Sequence, residues 1–214
     1  IDEREYRRHE ARRGRRHAYE RLEPSRTALV VVDMIPFFLD ENPYARGIVP
    51  NVNLLGGALR ERGGIVAWVL PATRQPTTAM VEFFGPDVAT TYASSAGDST
   101  LRERLAPELA VQRADLVVEN TSPGAFFPGH CDLHGLLRER RIDTVLVTGT
   151  VANVCCESTA REASTLGYRT IMVADANAAR VDADLNATLH TIYRSFGDVR
   201  TTAELLGMIG DGRA

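Results

Sequence analysis

The sequence predicts an α/β domain in which a parallel sheet carries helices on both faces. Three observations predict it. Short apolar runs rich in β-branched residues recur along the chain, amphipathic helical patterns separate them, and the runs are too continuous to be strands with one wet face. Strands alternating with helices at this spacing imply right-handed crossovers, hence a parallel sheet between two helical layers.

The strands are read from "TALVVVDM" (Thr27–Met34), "GIVAWVLP" (Gly64–Pro71), "ADLVVEN" (Ala114–Asn120), "DTVLVTGT" (Asp143–Thr150) and "YRTIMVADA" (Tyr168–Ala176). Helical patterns cover Val52–Glu61, Leu133–Arg140, Val154–Leu166 and Ala183–Ser195, with a last one near Ala203–Ile209. Ala72–Ser99, rich in Thr, Pro, Gly and Ser, is the longest stretch without clear periodicity and reads as a lid or ligand-binding loop.

Residues 1–24 form a separate basic helical arm, and residues 25–214 the domain. The first 22 residues hold eight arginines against five acids, while the rest of the chain is acidic. The arm reads as an amphipathic helix packing through Tyr6, Ala18 and Leu22 on the body or on a neighbouring subunit, which makes a homo-oligomer, dimer or tetramer, the expected assembly. An anionic partner is the other reading. "LEPSR", Leu22–Arg26, marks the boundary.

A chain of 214 residues with 44% hydrophobic residues can bury one substantial core. Its formal net charge of −3 argues against a nucleic-acid binder, which needs a cationic face. Three cysteines, no leader pattern and no long apolar run favour a reducing cytoplasm and no membrane. The five histidines, His9, His17, His130, His134 and His190, share no ligand spacing, so neither a metal nor another cofactor is expected. All 25 basic side chains are arginine.

Reactive groups in such sheets belong at the carboxyl ends of strands. Asp33 ends the first strand and Asn120 the third, and the pair Cys155-Cys156 opens the helix after the fourth. Asp33 reads either as a reactive carboxylate or as a cap for the next element. If the helix begins near Asn153, a preferred cap residue, then Cys156, Ala160 and Ala163 share one face and pack on the sheet. Cys155 then lies about 100° away on the first turn, where the helix dipole lowers a thiol pKa. It is the candidate nucleophile, with an inert buried cysteine as the alternative. Cys131 reads as structural.

The succession "VVVDM", "GAFF" and "DTVLVTGTVANVCCESTAREASTLGYRTIMVADA" resembles the isochorismatase-like cysteine hydrolases, over about residues 26 to 198. That superfamily includes nicotinamidases, N-carbamoylsarcosine amidases and ureidoacrylate amidohydrolases. The resemblance implies a Rossmann-like, three-layer α/β/α fold with a six-stranded parallel sheet of order 3-2-1-4-5-6. It also implies an Asp–Lys–Cys triad, in which Asp33 and Cys155 match the aspartate and the cysteine. The resemblance further implies a non-proline cis peptide at Thr150–Val151 and an oxyanion hole formed by the Val151 and Cys155 amides. Phe38 falls where relatives carry an aromatic over the substrate, with plain core as its other reading; Tyr92 is a further pocket candidate.

The lysine of the triad matches Asn120, and no lysine elsewhere can replace it. A neutral asparagine leaves Asp33 and a Cys155 thiolate to repel each other, which raises the thiol pKa. Two readings follow: a natural member with altered chemistry, or an introduced Lys→Asn change that silences the triad. The expected activity is hydrolysis of an amide or ureido C–N bond of a small molecule. The alternatives are a vinyl-ether hydrolase using Asp33 as general acid, and a non-catalytic binding or assembly member. The aspartate–histidine metal motif of nicotinamidases is absent from "DMIPFFLDENPYARG", which disfavours that activity.

Overall fold

Runs that are apolar on both faces need cover on both faces, and the chain supplies it. In the computed structural model, which describes residues 1–42 and 44–211, six parallel strands form one sheet in the order β3-β2-β1-β4-β5-β6. They are β1 (Thr27–Val32), β2 (Ile65–Pro71), β3 (Leu116–Asn120), β4 (Thr144–Thr150), β5 (Arg169–Ala178) and β6 (Asp198–Arg200). The helices are α1 (Glu3–Arg13), α2 (Pro36–Glu41), α3 (Val49–Glu61), α4 (Thr78–Phe84), α5 (Pro86–Ala93), α6 (Leu133–Glu139), α7 (Glu157–Thr165), α8 (Asp182–Ser195) and α9 (Thr202–Asp211).

Alternation along β1 sends its side chains into two cores. Leu29 and Val31 join Val52, Leu55 and Leu59 of α3 and Leu205 and Ile209 of α9 on one side. Ala28, Val30 and Val32 join Leu133 and Leu137 of α6, Ala160 and Ala163 of α7, and Ile192 of α8 on the other. The sixth strand and the strand order, implied by the family resemblance, are both present. Among the described residues no helix is long and apolar enough to cross a membrane.

Gly149 sets how closely β4 approaches β1. Its φ is 119°, and a Cβ there would lie 2.1 Å from the Val32 carbonyl oxygen, so only glycine fits. The β4–β5 register shifts between Val147 and Gly149, and the Asn177 amide fills the irregularity by donating to the Val147 and Val173 carbonyls at 2.9 and 2.7 Å.

Ala72–Ser99 departs from its reading as a loop. It contains α4 and α5, whose boundaries carry legible capping signals: Thr77 accepts from the Met80 amide, Gly85 ends α4 at φ 82°, and Pro86 opens α5. The segment has no apolar period because α4 buries none of its residues.

The arm lies on its own chain. Gly14, at φ 74°, ends α1, and the following residues run along α8 and β6. Tyr6 and His9 pack edge-on against Tyr193, each with ring centroids 5.0 Å apart, and His17 meets the fully buried Asp198 at 3.0 Å. Leu22 enters the core beside α3 and α9. Of the two surfaces the sequence offered to this arm, the body of the same chain takes Tyr6 and Leu22. The last three residues of the 25–214 range lie outside the described residues.

Candidate active site

The carboxyl ends of β1, β2, β3 and β4 open into a cavity of about 420 Å³ whose lining includes Asp33, Asn120, Val151 and Cys155. Phe38 of α2 and Tyr92 of α5 line it as well, so every sequence-derived candidate comes to one place. Phe37 stands edge-on to both, at 4.9 Å from Phe38 and 6.2 Å from Tyr92 between centroids.

Asp33 follows β1 with φ 54°, a left-handed conformation uncommon for a side chain with a Cβ. Its amide still pairs with the Val69 carbonyl at 2.9 Å, and its carbonyl accepts from Ile35 at 2.9 Å. This local kink ends the strand and leaves the carboxyl, 6% exposed, in the cavity wall. Burial raises its pKa to about 7, opposed by a hydrogen bond with the Cys155 thiol.

Cys155 and Cys156 divide as their helical phase suggests. Cys156 is fully buried among Ala160 and Ala163, while Cys155 is half-buried and faces the cavity. The expected setting of the thiol is corrected in two ways. Asn153 does not cap the helix: Ala152–Cys156 is a π-helical turn and α7 begins at Glu157, so Cys155 lies off the α-helical first turn. Its pKa is accordingly not lowered. Burial, then the charge of Asp33, push it well above the ordinary thiol range, and the Val151 N–H beside the sulfur opposes them. The peptide bond before Val151 is cis. Thr150 is held by Asn42, whose amide donates to its hydroxyl at 3.1 Å.

Asn120 reaches the cavity but spends its polar atoms on its own loop. Its amide donates to the Gly124 carbonyl at 3.2 Å, and its carbonyl oxygen accepts from the Ser122 amide at 2.9 Å and hydroxyl at 3.1 Å. Beyond it, α7 clasps the same loop. Thr159 accepts from the Ala125 amide at 3.1 Å and Glu162 from the Phe126 amide at 2.9 Å.

Several lining residues escaped the sequence reading. Arg74 and Arg180 supply guanidinium groups, Glu41 and Asp184 carboxyl groups, and Met80 and Phe84 apolar contact. Arg74 donates to the Thr121 carbonyl, and Arg180 lies 3.5 Å from Glu41. The position of Arg74 just past the end of β2 was the available signal. Among the described residues, no three His, Cys, Asp or Glu side chains group as metal ligands.

The Isochorismatase domain family matches residues 27–204 of the chain. The chain belongs to the isochorismatase family. Among its relatives, the isochorismatase family protein YwoC of Bacillus subtilis is 32% identical, with 86% of this chain and 94% of that protein aligned. The ureidoacrylate amidohydrolase RutB of Agrobacterium fabrum is 29% identical, over 88% and 92%. A crystal structure of a cysteine hydrolase from Pseudomonas syringae pv. phaseolicola superposes with a TM-score of 0.81 at 30% identity, covering 92% of this chain and 98% of that one. Within the isochorismatase family fold, the cavity described above sits where β1 and β4 diverge to helices on opposite faces, a switch point of the sheet.

Proposed function

We propose that this protein is a cysteine hydrolase that cleaves an amide or ureido C–N bond of a small molecule through a thioester on Cys155. The observation that carries the reading is that Asp33 and Cys155 stand together in the wall of one cavity, close enough for each to shift the other's pKa. The RutB relative, a ureidoacrylate amidohydrolase, supports the bond type.

Asp33 takes the thiol proton as the sulfur attacks the substrate carbonyl carbon. The Val151 and Cys155 amides receive the developing oxyanion, and both residues line the cavity beside the sulfur. Asp33 then gives its proton to the leaving nitrogen, the C–N bond breaks and an amine or ammonia departs. Water attacks the thioester, loses a proton to Asp33, and the acid leaves as the thiol re-forms. Phe38 and Tyr92 hold the organic part of the substrate. Asn120 shapes the loop, and its neutrality leaves Asp33 as the site's proton carrier. The reading carries with it a cytoplasmic homo-oligomer and no cofactor.

Amine release from a panel of small amides and ureido acids, beside Cys155→Ser and with hydroxylamine trapping of the thioester, tests this. Turnover lost in Cys155→Ser supports it. Full turnover by that variant overturns it in favour of a vinyl-ether hydrolase with Asp33 as general acid, a reading favoured by a carboxyl that holds its proton up to about pH 7. Isochorismate belongs on the same panel for that reason. No turnover of any compound overturns both and leaves a binding protein.

A further inference from the structure

Asp33 is a buried carboxyl group whose close polar neighbour is the Cys155 thiol, and among the described residues no ion pair reaches it. Asn120, next to the pair in the cavity lining, is neutral and has turned its amide and carbonyl onto Gly124 and Ser122. The two guanidinium groups of the lining are engaged elsewhere, Arg74 on the Thr121 carbonyl and Arg180 beside Glu41. Acids outnumber bases along the lining, with Asp33, Glu41 and Asp184 against these two arginines. A carboxylate and a thiolate side by side in a poorly solvated wall repel, and a cation within about 4–6 Å stabilises both. The same cavity presents the rings of Phe38, Phe84 and Tyr92, whose faces attract a cation.

We propose that the wall around Asp33, Cys155 and Asn120 is a cation subsite, and that the substrate fills it with its own protonated amine, held against Asp33 next to the bond that Cys155 attacks. The proposal rests on the C–N hydrolase reading of the same site and adds its substrate class: small amides or ureido compounds bearing an ammonium group near the scissile carbonyl. Bound there, the ammonium keeps Asp33 ionised and makes the thiolate accessible near neutral pH, so the substrate activates its own nucleophile. An anionic substrate group would instead face Asp33 with no free cation beside it.

The test reads the thiol and not turnover. Alkylation of Cys155 by iodoacetamide is followed at pH 8 in methylammonium chloride, in sodium chloride of equal ionic strength, and in tetramethylammonium chloride, whose cation has no N–H to donate. A saturable acceleration of about tenfold with methylammonium alone, the effect of one pKa unit on the thiolate fraction, is the expected result. Asp33→Asn, checked for folding by its circular dichroism, should still label but lose the response. Asn120→Lys, which attaches an amine covalently, should label fast without methylammonium and ignore it. Equal rates in methylammonium and sodium, slowing by methylammonium, or a response that survives in Asp33→Asn each overturn the proposal. Acceleration without hydrolysis of any C–N substrate overturns the proposed reaction alone, and hydrolysis without acceleration overturns the cation subsite alone.

Discussion

Asp33 and Cys155 meet in the cavity wall beyond the ends of neighbouring strands β1 and β4, where burial raises both pKa values and the charge of Asp33 raises that of the thiol further. The pair therefore holds its two protons more tightly than either group would in water. That one relationship makes the site's protonation measurable without a substrate.

Stability should report Asp33 directly. Its carboxyl is raised in the folded chain to about 7 from the ordinary 3.8, so its contribution is complete below about pH 4 and is lost as pH rises towards 7. Asp33→Asn has no such loss. The variant should gain on the parent between pH 4 and pH 8, by at most about 4 kcal/mol. Urea unfolding of both proteins at the two pH values checks this, and a pH-independent difference would show that Asp33 ionises normally.

Cys155 should be the cysteine that iodoacetamide reaches first, and Cys156 should stay unlabelled until the chain unfolds. The former lines the cavity, and the latter has no exposed surface. Its labelling rate should keep climbing above pH 9, because burial and Asp33 hold the thiol protonated. Peptide mapping of partially labelled protein decides between the two sites; a Cys156 adduct would reverse the helical phase and the nucleophile assignment.

Asn120→Lys should raise turnover of a neutral amide or ureido substrate, one with no ammonium group of its own, by roughly 10² to 10⁴-fold, the span of a positioned acid–base group, and lower the Cys155 pKa. The same change removes the bonds to Gly124 and Ser122 and should cost about 1–3 kcal/mol of stability. Opposite movement of rate and melting temperature is the signature. A lysine that leaves the thiol pKa where it was would show that position 120 is not electrically coupled to the pair.

Loss of the arm should weaken the fold. A chain beginning at Glu23 lacks His17 and Tyr19, whose ring nitrogen and amide serve the buried Asp198, and exposes Tyr193. Arg200 and the Val199 amide still face Asp198, so the expected loss is about 1–3 kcal/mol, the range for buried hydrogen-bonding groups that lose some of their partners, measured by denaturant unfolding. Light scattering of the same chain reads assembly: an unchanged mass assigns the arm to its own subunit alone.

Five strands were legible because a run such as "ALVVV" can be stable only with cover on both faces, and β1 has it. The sixth, Asp198–Arg200, spans three residues and leaves no run to read; the family resemblance supplied it. α4 left no apolar period because it buries nothing, although Thr77 and the Gly85-Pro86 pair mark its ends. In the site, Asp33 and Cys155 were legible from strand ends and helical phase. The raised thiol pKa was half legible, since the missing cation was visible but the π-helical turn was not. Arg74 and Arg180 are single residues in connecting segments, and only the folded chain brings them to one cavity.

The clasp of α7 on the loop after β3 has a mechanical consequence. Thr159 and Glu162 bind the Ala125 and Phe126 amides, so the wall that carries Cys155 and the wall that carries Asn120 move as one body. On the opposite side α4 has no such tie, for it contributes nothing to either core, whereas α5 buries Ala89 and Ala93 and accepts from the Arg74 amide. Local opening costs least where least is buried. The expected path into and out of the cavity is therefore past Met80 and Phe84, and stiffening α4 should slow release of product before it disturbs chemistry.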